Sequence, residues 1–221
     1  MFVKRFDFKG ELINKPTVRE LLESINNLKN SEISKLIGSR VKEFAEIKNK
    51  SIDNIFKELC FCIMTANCAA EKCIEIHENI GNGFLDLTEL DLSKKFKDLG
   101  YRFPNIRAKF IVEARTLKFK LEEILEKSDI RDWIVKNIKG IGYKEGSHFL
   151  RNIGFKNYAI VDFHIVDLLV KYNIIEKPKT MTKKKYLEIE EILKEIGKQL
   201  NLNLAELDLY LWYMETGKIL K

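Results

Sequence analysis

Residues 138–164 read IKGIGYKEGSHFLRNIGFKNYAIVDFH, and this stretch decides the fold. Gly140 and Gly142 flank a single apolar residue, Ile141. Glycine tolerates the backbone angles of a tight turn and lets another group approach the chain closely. Ile141 is placed to anchor that turn between two helices, in a hairpin over about 134–152. Amides of the turn and of the next helix's first turn then face outward, and the helix dipole makes them an anion site. Lys144 stands in that first turn, where the positive end of the dipole disfavours a cation and favours a neutral, nucleophilic amine. Eighteen residues further on, Asp162 closes the apolar run Tyr158–Val161 and opens another apolar helix. An aspartate at such a junction caps the helix whatever else it does. The two glycines alone fit a plain helix–turn–helix connection without any ligand. The amine and carboxylate downstream shift the reading to a phosphate grip beside groups able to break a glycosidic bond.

Outward from this centre the pattern stays helical. Only 3 prolines and 11 glycines punctuate the chain, with Leu, Ile, Lys and Glu dominating between them, which favours an all-α protein. Ile33, Ile37, Val41, Phe44 and Ile47 form one apolar stripe at three- and four-residue steps. From Ile55 to Met64 apolar residues occupy all sides, as in a centrally buried helix, with Asp53 as its expected N-cap. Further helices are expected at about 69–80, 88–98, 105–118, 120–127, 130–137, 163–172, 182–200 and 204–217. Residues 1–17 are read as an N-terminal arm, with Phe2, Phe6 and Phe8 between charges.

The composition sets outer bounds. At 221 residues with 45% hydrophobic content, a packed core is possible. The net charge of +6 (39 Lys+Arg against 33 Asp+Glu) suits a polyanionic partner, although most single lysines belong to solvated helix faces. No apolar run approaches membrane-spanning length and Met1–Asn14 lacks a signal peptide's apolar stretch. A cytoplasmic protein without membrane attachment is expected, associated with the nucleoid when acting. Cys60, Cys62, Cys68 and Cys73 are separated by one, five and four residues. That spacing matches neither paired zinc knuckles nor an iron–sulfur loop, so reduced, buried structural thiols and no metal are expected.

Several motifs in one order carry a more specific reading. They are Leu59–Asn67 (LCFCIMTAN), Gly100–Phe103 (GYRF), Gly142–Asn152 (GYKEGSHFLRN), Lys185–Glu190 (KYLEIE), Leu207–Tyr213 (LDLYLWY) and Gly217-Lys218. With the hairpin and Asp162 they resemble the compact, archaeal-type family of 8-oxoguanine DNA glycosylase/AP lyases, of the helix-hairpin-helix superfamily. The resemblance runs from about Lys29 to the last residue. It implies one glycosylase domain over 18–221, built as two interleaved helical subdomains flanking an active-site cleft. Three positions depart from the superfamily's usual pattern: Lys139 stands where proline is usual, Gly146 where alanine is frequent, and Phe163 where a polar or basic residue is frequent.

The same resemblance gives residues their roles. Lys144 is the nucleophile, two residues after the second glycine. Asp162 stabilises the cationic sugar and keeps the lysine poised. Phe103 and Trp212 line the flipped purine, although residue type alone would place both in the core. Lys221, otherwise a frayed tail, helps recognise the oxidised base, with an acceptor in the tail aimed at the proton that 8-oxoguanine gains. Asn67, otherwise a helix-end residue, plugs the gap left by the extruded nucleotide. By their own chemistry rather than by the resemblance, Gly140 and Gly142 are expected to hold the backbone phosphate, with Lys139, at its departure from the usual proline, adding a contact. The implied reaction removes 8-oxoguanine from double-stranded DNA through a lysine Schiff base and nicks the strand by β-elimination, also at abasic sites. It needs no cofactor and a monomer suffices. Two alternatives remain open at this point: a related glycosylase for another oxidised base, and a noncatalytic DNA-binding module using the hairpin only to hold phosphates.

Overall fold

The computed structural model describes residues 15–221, so Phe2, Phe6 and Phe8 lie outside the described residues. Among the described residues there are thirteen helices and no strand, the all-α class expected. The chain divides into two compact units: the described residues up to Val41 together with 156–219, and residues 42–155 with 220–221.

The unit of residues 42–155 is organised on α3 (Ile52–Thr65). Its last eight residues, Glu58 to Thr65, are all buried, as the apolar run on every side requires. Around it pack α4 (Ala70–Ile80), α5 (Gly83–Asp86), α7 (Pro104–Arg115), α8 (Lys118–Leu125) and α10 (Tyr143–Asn152). Asp53 is not the N-cap that was expected. Ser51 takes that position, and Asp53 sits in the first turn, where its carboxylate pairs with Lys118 at 2.6 Å. α5 is too short to satisfy its own carbonyls. Arg115 supplies the donors, its guanidinium reaching the Gly83, Phe84 and Leu87 oxygens at 3.3, 2.8 and 2.6 Å. α6 (Glu89–Asp98) lies against α7, and α9 (Ile130–Asn137) against α10. Helix α2 (Ile33–Ile47) runs across the boundary between the units.

In the other unit, α1 (Pro16–Lys29), α11 (Phe163–Lys171), α12 (Lys183–Leu200) and α13 (Leu204–Thr216) enclose a second core. α1 opens within the segment read as an arm, on a proline suited to the first helical position. Asn201 turns left-handed at the end of α12 (φ +52°), and Leu202 donates back to the Gly197 carbonyl at 2.8 Å. Asn203 then caps α13, accepting from the Ala205 and Glu206 amides at 3.0 and 3.1 Å, while Glu206 accepts from the Asn203 amide at 3.0 Å. That reciprocal arrangement makes the α12–α13 turn abrupt.

Candidate active site

The hairpin forms between α9 and α10. Ile138 leaves α9 with extended backbone, and Ile141 is buried at the turn, so it anchors the hairpin as expected. The two glycines serve different purposes. Gly140 has φ +81°, and a Cβ there would lie 2.6 Å from Phe110 Cδ2 and 2.9 Å from Arg107 Nη1. Gly142 has φ −100°, an ordinary value, and a Cβ would meet only the movable Glu145 carboxylate at 3.2 Å. Gly140→Ala should therefore lower the melting temperature distinctly more than Gly142→Ala, by at least about 1 kcal/mol in stability. Equal losses in thermal melts would contradict this assignment of the strain. At Gly146 an alanine methyl would make ordinary contacts of 3.5–3.7 Å, so glycine and alanine are interchangeable there.

Glu145 is a site residue that sequence reasoning passed over. Its Oε2 accepts from the Gly142 amide at 3.2 Å, and its Oε1 stands 3.8 Å from Lys144 Nζ. One carboxylate thus ties the turn to the lysine beside it. The Lys144 side chain keeps 27% of its surface exposed, enough for its amine to be reached. Lys139 is exposed and pairs with Glu113 at 3.0 Å. A surface pair of this kind contributes little and exchanges readily for a phosphate.

Arg107 is a second residue without a sequence signal. Nearly buried, it donates through Nη2 to the Ala66 carbonyl at 3.1 Å, and its Nη1 closes on Gly140. It braces the hairpin against the 66–69 loop, where Asn67 is exposed with φ +61°. Asparagine tolerates that left-handed backbone better than most residues. Asn67 is thus a loop-tip residue, and the N-cap position of α4 belongs to Ala69. Phe103 precedes α7, half-buried, with the Arg102 and Arg107 guanidinium carbons 4.9 and 5.8 Å from its ring centroid. Two cations beside an accessible aromatic suit an anionic, stacking ligand.

Lys221 is held rather than frayed. Its amine lies 2.9 Å from Glu58 Oε1, 3.3 Å from His77 Nδ1 and 4.4 Å from the Phe61 ring centroid. Burial, then the Lys221 cation, pushes the His77 imidazole down to about 4. Burial also pushes the Cys60 and Cys62 thiols well above their ordinary range, which leaves them as inert packing groups. All four cysteines are free, with Cys68 only half-buried.

The other unit carries Asp162 and Trp212. Asp162 Oδ1 accepts from the Ile165 amide at 3.0 Å and caps α11. The apolar run before it is neither helix nor strand, so its backbone groups need partners. α12 supplies them. Glu190 accepts from the Ala159 amide at 2.9 Å, and the Tyr186 hydroxyl accepts from the Val161 amide at 3.1 Å while donating to the Ala159 carbonyl at 2.7 Å. Asp162 is therefore fixed from both sides. Trp212, half-buried on α13, meets the His164 ring edge-on at 4.7 Å, and its indole nitrogen has no acceptor among the described residues. Lys139, Gly140, Gly142 and Lys144 thus come together in the hairpin of one unit. Asp162 and Trp212 share the other, on α11 and α13, which pack together.

Comparison with known proteins gives this arrangement its context. The family profile described as 8-oxoguanine DNA glycosylase matches residues 37–202. The chain belongs to the 8-oxoguanine DNA glycosylase family. It is 50% identical to the 8-oxoguanine DNA glycosylase/AP lyase of Korarchaeum cryptofilum, over 92% of this chain and 99% of that protein. It is 52% identical to the 8-oxoguanine DNA glycosylase/AP lyase of Methanocaldococcus jannaschii, over 91% and 99%. The crystal structure of the Methanocaldococcus enzyme in complex with a 15mer DNA containing 8-oxoguanine superposes with a TM-score of 0.89 at 51% identity, covering 91% of this chain and all of that one. Within this family fold, the helix-hairpin-helix is α9–α10. No described helix is long and apolar enough to cross a membrane.

Proposed function

We propose that this member of the family excises 8-oxoguanine from duplex DNA and nicks the strand, acting as a monomer in the cytoplasm at the nucleoid. The observation that carries the reading is Lys144: an accessible amine in the first turn of α10, next to a turn shaped for close backbone approach. Lys139 and the Gly140–Gly142 turn hold the phosphate backbone. The damaged nucleotide is flipped out, which costs a few kcal/mol in lost stacking and pairing, and Asn67 fills the gap. Phe103 and Trp212 stack on the base, each contributing roughly 1–3 kcal/mol. The tail at Lys221 reads the lesion.

Lys144 Nζ attacks the anomeric carbon as the glycosidic C–N bond breaks, and the electron pair leaves with the base, which is then protonated. The Asp162 carboxylate stabilises the oxocarbenium-like sugar in between, as carboxylates do in glycoside hydrolysis. Ring opening gives a Schiff base. Loss of a proton from the adjacent carbon then expels the 3′ phosphate. Borohydride added to the protein with 8-oxoguanine duplex should trap a covalent adduct. No adduct, with DNA binding intact, would reduce the hairpin to a phosphate grip.

A further inference from the structure

Cys68 and Cys73 meet at the entry to α4, in the unit of residues 42–155. Ala69 is the N-cap, so Cys68 stands just before it and Cys73 one turn into the helix, where its amide donates to the Ala69 carbonyl at 3.1 Å. Side chains at these two positions pack against each other and fix the angle at which a chain enters its helix. Here both are cysteines, and their thiols are hydrogen-bonded to each other. Ala69 has no side-chain acceptor for the helix end, so the sulfur contact fastens the close of the 66–69 loop to α4. Burial, then the Cys68 sulfur, pushes the Cys73 thiol well above its ordinary range, against the Lys144 and Arg107 cations. The two sulfurs differ in access, Cys68 being half-buried and Cys73 buried. The other two cysteines form no such pair. Cys60 and Cys62 are wholly buried, and side chains two residues apart on a helix do not face each other.

We propose that Cys68 and Cys73 are an oxidation site at which hydrogen peroxide closes a reversible disulfide, and that this bond draws Asn67 out of its place in the DNA gap. The second half rests on the reading above that Asn67 fills that gap. Cys68, the accessible sulfur, reacts first. As its thiolate it attacks peroxide, the O–O bond breaks, and hydroxide leaves to take up the thiol's proton; the product is a sulfenic acid. The Cys73 sulfur then attacks the Cys68 sulfur, the S–O bond breaks, and water departs with the Cys73 proton. Two thiols and one hydrogen peroxide thus give one disulfide and two waters. Exchange with a dithiol reductant returns both thiols. The geometry also tells which side moves. A disulfide holds its sulfurs about 2.0 Å apart, much closer than two hydrogen-bonded thiols. Cys73 is fixed within α4, so Cys68 and the loop give way. Asn67, next in the chain and already in left-handed backbone at φ +61°, shifts with Cys68.

The test treats the full chain with hydrogen peroxide, stops the reaction with catalase, and counts thiols after denaturation. The four free thiols should fall to two. Lys72 lies between the two cysteines, so two tryptic peptides should appear joined through Cys68 and Cys73 and separate again in dithiothreitol. Cys73→Ser should stop at a sulfenic acid that dimedone captures on Cys68. Affinity is measured on duplex carrying a tetrahydrofuran abasic analogue, which cannot form a Schiff base. It should weaken at least about tenfold on oxidation and recover in dithiothreitol, with no response to peroxide in Cys68→Ser. Absence of the joined peptide overturns the oxidation site. Asn67→Ala separates the remaining readings, since it should weaken the reduced protein's binding to a similar degree. A disulfide that leaves affinity unchanged, while Asn67→Ala weakens it, overturns the pull on Asn67. An Asn67→Ala variant that binds like the wild type overturns the gap-filling reading instead, and the effect on DNA with it. Cys68 is half-buried, so Cys68→Ser remains informative should Cys73→Ser fail to fold.

Discussion

Replacing Lys144 by glutamine is expected to abolish base excision and strand nicking together, while DNA binding survives. Glutamine keeps much of the length of the stem but removes the nucleophilic electron pair that both steps depend on. Folding should be nearly unaffected. The side chain is partly exposed, and the Glu145 carboxylate beside it stays tied to the Gly142 amide. Exposed positions of this kind usually shift stability by less than about 0.5 kcal/mol. If the Lys144 cation meets a phosphate in the bound state, its loss lowers the salt slope of binding by about 0.9. Three measurements settle the matter: single-turnover excision, borohydride trapping, and affinity at two salt concentrations. A variant that still forms a trapped adduct would move the nucleophile to another amine.

The sequence reading reached the hairpin because its signals are local. Two glycines around an apolar residue, a lysine in the next turn and an aspartate before an apolar run are visible within 27 consecutive residues. The helices were legible for the same reason: the 130–137 helix coincides with Ile130–Asn137, and the expected 182–200 and 204–217 helices lie within a residue of α12 and α13. What remained hidden is what depends on distant partners. Nothing in its neighbourhood marks Arg107 as the brace between Gly140 and Ala66, since its partners lie 33 and 41 positions away. Tyr186 and Glu190 read as helix residues on or beside an apolar stripe, yet they hold the backbone ahead of Asp162. The Asp53 cap failed for a related reason. Serine two residues earlier ends the loop, and Lys118, far along the chain, competes for the carboxylate. Glu58 alone left a trace: a carboxylate in a run apolar on every side announces a buried partner, but only the fold identifies Lys221 as that partner.

The Asp162 carboxylate has two tasks that one substitution can separate. As a cap it needs an oxygen for the Ile165 amide, which it meets at 3.0 Å. As a stabiliser of the cationic sugar it needs a full negative charge. The Asp162→Asn variant would supply the first and lack the second, since asparagine caps about as well as aspartate. Tyr186 and Glu190 fix the preceding backbone through its own amides and carbonyl, so the side chain is not required to hold its own position. The variant should melt close to the wild type, within the few tenths of a kcal/mol that separate the two caps. Excision should slow at least about a hundredfold, the scale for removing one preorganised electrostatic group. Nicking of a preformed abasic site should suffer less, because the glycosidic bond is already broken and no base has to depart from a cationic sugar. Thermal melting together with single-turnover rates on both substrates decides between the tasks. A variant that melts early yet excises at the wild-type rate per folded molecule would leave Asp162 a helix cap, and the charge that stabilises the sugar would have to come from elsewhere.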